Sequence, residues 1–352
     1  MANRIKEKYM AGKRYFDYPM LFLVIFLICF GLVMIYSTSS YKSTVTYGNS
    51  YHWLLRQAVA IVLGAVAMVV CCKLDYHIIK SEKFGNGCYW ASIVLLVLVL
   101  IIGAAKKGAV RWISIAGFQF QPSEVSKILV VIYLANRLSA NAHKIRTFKD
   151  SIVIVLPTVP IIALIVTQNL STALVVCSMI GVMLFVVSPK MKELMLTAGG
   201  GIILLFVYLL TANSYRNERV QIWLHPESHK KGFQTMQALY AIGSGGVFGK
   251  GLGQSMQKMG FIPESHNDMI FSIICEELGL FGAVCLILVF VALIFRMLLI
   301  ALNTEDLFGS LIVIGFMTHI AIQVFINIAV VTNTIPPVSY THLRAHETSA
   351  HL

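Results

Sequence analysis

Asp268, Glu276 and Glu277 are the acids whose setting asks for chemistry. They lie in the run GFIPESHNDMIFSIICEELGLFGA, residues 260–283. A polar lead that holds Glu264, His266 and Asn267 passes at Asp268 into an apolar stretch, which then carries two adjacent carboxylates. A carboxylate within hydrogen-bond reach of a hydroxyl takes its proton. It also ligates a divalent cation, so Asp268 is a candidate site for Mg2+ or Mn2+. The competing reading of Asp268 is a helix N-cap, a role that Asn267 fills equally well. Glu276 falls about 12 Å further along such a helix and about 80° round from Asp268. Glu277 points to another face. For these two, structural pairing with other helices or backbone, near the cytoplasmic half, competes with a functional role.

A second charged group surrounds Arg111-Trp112 and the run Gln121-Pro122-Ser123-Glu124, with Lys127. Pro122 suits the first turn of a helix. Glu124 and Lys127 are then i, i+3 neighbours able to neutralise each other, either as a plain ion pair or as part of a polar opening with Arg111 as an anion-binding group. Between the two groups lies GSGGVFGKGLGQSMQK, residues 243–258, with six glycines, Lys250 and Lys258. Glycine-rich backbone next to lysines can cradle phosphate. The spacing is not that of a Walker A loop, and a flexible loop is the weightier reading. His225 and His229 do not follow a zinc-ligand pattern.

These residues must be positioned by membrane helices. The chain has 352 residues, 57% of them hydrophobic and 12% charged. Soluble proteins carry about 25% charged residues. The apolar residues come in blocks at 19–37, 53–72, 88–105, 124–137, 151–167, 172–188, 195–212, 269–297 and 307–332, which predicts an all-α polytopic membrane protein of about nine spans. Residues 1–18 are basic and lead into a retained first anchor, which places them in the cytoplasm. The net charge of +12 is then a matter of topology, with no nucleic-acid partner implied. One long extracytoplasmic loop spans 213–268; within it Phe233, Met236 and Tyr240 have the spacing of an amphipathic surface helix. The seven cysteines lie in or beside apolar segments and make no disulfide framework. From 337 to 352 the pattern collapses into a polar, His-containing tail.

Taken together, Arg111-Trp112, FQPSEVSK (120–127), QALYAIGSGGVFGKGLGQS (237–255) and IPESHNDMIFSIICEELGLFG (262–282) resemble the SEDS family of shape, elongation, division and sporulation proteins, the FtsW/RodA/SpoVE group. The order and spacing of the motifs fit that family over nearly all of 15–336. The early FGLVMIYSTSS (30–40) is more similar to the FtsW and SpoVE members. The resemblance implies a ten-helix glycosyltransferase that polymerises lipid II into glycan strands outside the cytoplasmic membrane during cell division. It also implies a class B penicillin-binding protein as partner, alongside other division or elongation proteins. By the same resemblance Asp268 is the essential acid, Glu124–Lys127 the membrane ion pair and Arg111 the loop arginine. Asn327 matches as well. The family's Asp-Leu-Gly-Thr reads Asn169-Leu170-Ser171-Thr172, which puts a charged role there in doubt, and the match stops at Pro337. The residues after it are expected to be an unrelated segment fused to a truncated end.

The implied chemistry is attack of a sugar 4-OH on C1 of a lipid-diphosphate-linked sugar. Asp268 takes the proton. Arg111, Lys250, Lys258 or His266 bind substrate or offset the leaving charge. Gln121, Ser123, Glu276, Glu277 and Asn327 complete the polar set. Two other classes compete: a lipid II flippase, which places its key charges near the midplane, and a non-catalytic division scaffold.

Overall fold

The computed structural model describes residues 16–106, 109–115, 118–145, 147–188, 221–228, 232–262 and 267–335. The predicted span at 195–212, Glu264, His266, His229 and the tail from 336 lie outside the described residues.

Ten α-helices are described. In chain order they are α1 (Tyr18–Tyr47), α2 (His52–Lys73), α3 (Glu82–Ile102), α4 (Pro122–Asn141), α5 (Phe148–Val155), α6 (Val159–Gln168), α7 (Leu170–Val187), α8 (Phe233–Ser244), α9 (Ile270–Asn303) and α10 (Leu307–Val331). The starts follow local chemistry. Asp17 accepts from the Met20 amide at 2.9 Å to cap α1, and Ser81 caps α3 through the Phe84 amide at 3.1 Å. Thr147 and Asp150 form a capping box for α5. Pro157 falls in the 3-10 turn between α5 and α6, where a proline interrupts the regular ladder.

Seven helical stretches are long and apolar enough to cross a membrane: α1, α2, α3, Lys149–Gln168, α7, α9 and α10. They take in seven of the predicted blocks. The 88–105 block differs at its end, because Ala104 and Ala105 are already strand. The most polar block, 124–137, is also a helix. Eleven of the twenty residues of α4 are buried, because α3, α7 and α10 surround it. A helix enclosed by other helices need not present an apolar face to lipid. By contrast, α2 has no buried residue, and its valines and leucines form a surface suited to hydrocarbon.

Two apolar cores organise the helices. One joins α3, α4, α6, α7 and α10 around Leu96, Val131, Leu134, Ile165, Met183 and Leu311. The other joins α1, α8 and α9 around Met34, Ala241, Ile273 and Ile274. Between α3 and α4 the chain forms a feature absent from the sequence expectation, a three-stranded antiparallel sheet of β1 (Ala104–Lys106), β2 (Ala109–Ile115) and β3 (Phe118–Phe120). Ala104 pairs with Trp112 and Ala105 with Val110, so Arg111 is the extra residue of a bulge.

The glycine-rich run is built into the fold. Gly279 breaks α9 with φ 69° and ψ −170°, a conformation open only to glycine. Residues 245–251 fill the break. The Lys250 and Gly251 amides donate to the Glu276 and Glu277 carbonyls at 3.0 and 2.9 Å, and the Leu280 and Phe281 amides donate to the Gly246 and Val247 carbonyls at 2.9 and 3.0 Å. Groups that a helix end leaves orphaned are thus satisfied by the loop. The approach is close enough that a Cβ on Gly249 would lie 2.2 Å from the Glu277 carbonyl oxygen. The expectation of a flexible loop is therefore corrected: these glycines permit contact.

At one end of the bundle, Asp306 caps α10 through the Gly309 amide and pairs with Lys80 at 2.7 Å. Partial burial opposes ionisation of Asp306, but Lys80 and the backbone donors outweigh it and hold the carboxyl below its ordinary range. Its contribution to stability is present above the unfolded carboxylate pKa and lost as pH falls through the lowered folded value. Thermal unfolding of wild type should therefore fall more steeply on acidification than that of Asp306→Asn. Replacing Gly279 or Gly249 by Ala should lower the melting temperature in detergent, at a cost of about 1–3 kcal/mol for the strained backbone alone. An unchanged melting temperature in both variants would contradict the loop-in-break arrangement.

Candidate active site

Asp268 lies one residue before the N-cap of α9. Met269 occupies the cap position and makes no side-chain cap bond, so the N-cap reading of Asp268 does not hold. The residue is exposed. Its backbone carbonyl accepts from the Asn327 side-chain amide of α10 at 3.2 Å. The mouth of α9 is thereby tied to α10, and two predicted residues distant in sequence are neighbours.

Glu276 and Glu277 are fully buried, and each binds one lysine of the glycine-rich loop. Lys250 donates to Glu276 at 2.7 Å, and Glu276 also accepts from the Ser255 hydroxyl and from the Met256 and Gln257 amides at 3.3 and 3.4 Å. Lys258 donates to Glu277 at 2.8 Å and to the Ser37 hydroxyl of α1 at 3.1 Å. Ser37 itself donates to Glu277 at 2.7 Å. The partners expected from other helices or backbone thus come mainly from the loop. Adjacent acids about 100° apart on a helix reach two different segments: Glu276 holds the loop, and Glu277 holds its end together with α1. A span needs about 20 residues, and the unbroken run 280–303 supplies them beyond the Gly279 break. Both acids then sit at the edge of the apolar span, away from its middle.

Lys250 and Lys258 were predicted to meet substrate. Both ammonium groups are engaged by the protein's own carboxylates, and Lys258 is only 5% exposed. A phosphate would reach Lys258 only by displacing Glu277. Lys258 and Ser37 also border a groove of about 550 Å³ between α1 and residues 252–259, walled by Val33, Tyr36, Leu252 and Met259.

The second predicted cluster forms on α4. Lys127 meets Glu124 at 2.9 Å, with the lysine side chain 2% exposed and the glutamate 50%. Gln121 donates to the Ser123 hydroxyl at 3.0 Å but does not cap the helix. Arg111 is placed in β2 by its backbone, and its side chain, like the whole of His266, lies outside what is described. Sequence reasoning missed Ser37 and Ser255 in the ion-pair network, and Gln323, whose side-chain oxygen stands 3.5 Å from the Lys127 ammonium. A polar amide in the midst of the apolar 307–332 block was the available signal. Among the described residues no group of three or more His, Cys, Asp or Glu side chains is placed to hold a metal ion. Asp268 offers one carboxylate, and a cation there would need further oxygens from a bound phosphate.

The fold and site define a multi-pass helical membrane protein with its acids and lysines gathered about one broken helix. The chain belongs to the FtsW/RodA/SpoVE family, whose sequence model, described as cell cycle protein, matches residues 18–341. It is 35% identical over 331 residues to a probable peptidoglycan glycosyltransferase FtsW of Geobacter metallireducens, covering 91% of this chain and 86% of that one. It is 36% identical over 335 residues to the stage V sporulation protein E of Bacillus subtilis, covering 92% and 90%. Among solved structures it is similar to a chain of a peptidoglycan synthase complex that coordinates polymerization and crosslinking, with TM-score 0.76, 27% identity and coverage of 94% and 91%. It is also similar to the rod shape determining protein RodA of Thermus thermophilus, with TM-score 0.67, 25% identity and coverage of 94% and 89%.

Breaking one buried pair strands a charge, which costs about 3–5 kcal/mol. Glu277→Gln should therefore lower the melting temperature far more than Glu227→Gln, since Glu227 and its partner His225 are both exposed. Equal shifts in thermal unfolding would show that Glu277 is not the clasp described.

Proposed function

We propose that the chain is a peptidoglycan glycosyltransferase that polymerises lipid II at the outer face of the cytoplasmic membrane, with Asp268 as the general base. The observation that carries this is the placement of Asp268: exposed, at the mouth of a membrane helix, and held by its backbone against α10. Both substrates of such a reaction are lipid-anchored, so the base must be open at the membrane edge. The acceptor sugar 4-OH attacks C1 of the donor sugar, the C1–O bond to the lipid diphosphate breaks, and the carboxylate takes the hydroxyl proton. Cationic groups offset the charge on the departing diphosphate; Arg111 and His266 are the candidates for that role. Asp268 is the residue that would hold a Mg2+ or Mn2+, which would supply the same charge compensation.

The N-terminus is cytoplasmic in this reading, and a class B penicillin-binding protein is the partner that cross-links the strands. The likeness to a chain from a synthase complex supports that partner. The relatives' names support the reaction, and the family's description as cell cycle protein supports a role in division.

The test uses full-length protein with its transpeptidase partner and labelled lipid II. Asp268→Asn should cut glycan formation by at least about 100-fold, the usual scale for a general base. Chains of equal length and yield from both proteins would remove Asp268 from the chemistry. Lipid II translocation without chains would instead establish a flippase.

A further inference from the structure

The mouth end of α10 closes in a Schellman motif. The Asn333 amide donates to the Val330 carbonyl at 3.1 Å, and the Thr334 amide donates to the Ala329 carbonyl at 2.8 Å. The motif needs a left-handed residue just past the cap, usually glycine and sometimes asparagine. Asn333 takes that place with φ 54°, the one positive φ at a non-glycine among the described residues. Its side chain then makes a contact that glycine has no atoms to make. The Asn333 Nδ2 group donates to the Trp223 carbonyl at 3.2 Å, and the Asn333 carbonyl accepts from the Trp223 indole N–H at 2.9 Å. Two residues 110 apart in sequence thus exchange one hydrogen bond each way.

This clasp closes a ring on α10. Trp223 stands near the start of the long loop 213–268, and Asp268 ends it. Asn327 holds the Asp268 carbonyl at 3.2 Å, and Asn333 follows six residues later, about 9 Å of helical rise away. The same end of one helix therefore grips both the beginning and the end of the loop. The gripped segment is itself packed: Ile222 is buried, and Pro226–Ser228 lies against α8. Further along, residues 245–251 bond the break in α9, and Lys258 bonds Glu277 and Ser37. Asn333 also carries two unfavourable features. Its Oδ1 atom is buried with no hydrogen-bond partner among the described residues, and an unpaired buried acceptor is costly. A left-handed backbone at a non-glycine adds strain, and strain of this kind gathers where surroundings hold a functional geometry.

The geometry points to Trp223 and Asn333 as positioning residues for Asp268. They act through α10: the clasp fixes its last turn against the start of the loop, and Asn327 passes that position to the Asp268 backbone. The inference rests on the polymerase reading and deepens it, because a general base works only within about 3 Å of the proton it takes. With the clasp released, the last turn of α10 is free to shift, and a displacement of about 1 Å at a reacting group slows the chemical step strongly. The clasp makes no contact that a substrate must replace, so its loss falls on the chemical step and spares binding.

The experiment compares polymerisation of labelled lipid II by wild type, Trp223→Phe and Asn333→Gly, each as the full chain with its transpeptidase partner. Trp223→Phe removes the indole N–H, whereas Asn333→Gly keeps the left-handed backbone and removes the side-chain donor. Each should lower kcat about tenfold and leave KM within about twofold. The two bonds form one clasp, so the double variant should lose little more than the worse single variant. The Asp268→Asn background separates positioning from a general structural role. There Trp223→Phe should cost less than about twofold, because the carboxylate it positions is gone. Amide hydrogen exchange should quicken at 221–228 in both variants and stay unchanged in α4 and α7, which establishes an opened clasp in a folded protein. Unchanged kcat in both variants would overturn the positioning role and leave the polymerase reading standing. A rise in KM alone, or a full tenfold loss on the Asp268→Asn background, would do the same. Absence of glycan chains from wild type would bring down the polymerase reading and the positioning role together.

Discussion

The break in α9 at Gly279 is the constraint on which the site depends. A helix interrupted in a membrane protein exposes carbonyls and amides that lipid does not satisfy. Here residues 245–251 enter the break and supply those bonds from their own backbone. That solution demands glycine at the crossing, since a Cβ on Gly279 would lie 2.3 Å from the Gly249 nitrogen. It also fixes the long loop against the bundle, so that the mouth at Asp268 is held by covalent continuity from below and by Asn327 from the side.

The two buried ion pairs follow from the same arrangement. Once the loop is docked, Lys250 and Lys258 come within reach of Glu276 and Glu277, and each pair neutralises a charge that would otherwise be intolerable in so dry a place. The hydroxyls of Ser37 and Ser255 fill remaining acceptor sites on the carboxylates. Buried pairs of this kind are weak sources of net stability but strong selectors of geometry, because any other seating of the loop leaves four unpaired charges. At the edge of this network stand Asp268 at the mouth, whose carbonyl meets Asn327 of α10, and Lys127, which meets Gln323 of the same helix.

The helical frame was legible because hydropathy in a membrane protein is nearly a direct record of the spans. Seven apolar blocks coincide with helices able to cross a membrane. The Glu124–Lys127 contact was legible too, since i, i+3 spacing on a helix leaves little choice. The sheet between α3 and α4 was less so: its strands are three, seven and three residues long, too short for a periodic signal. The location of Asp268 one residue outside the cap turned on the exact start of a helix, which local preference does not define when Asn267, Asp268 and Met269 all stand at the boundary.

What the sequence alone determined was the class of protein, the helices and the short-range pairs, because hydrophobic run length and helical spacing are properties of neighbours along the chain. Only the tertiary structure decided which lysine each buried glutamate meets, and that the six glycines of 243–258 belong to a docked segment. Those outcomes depend on contacts such as Ser37 with Glu277, 240 residues apart. Gln323 and Asn327 of α10 lie between the two cases. Their spacing is written in the sequence, but their partners appear only when α4 and the mouth of α9 pack against that helix, because a hydrogen bond is decided by what stands opposite.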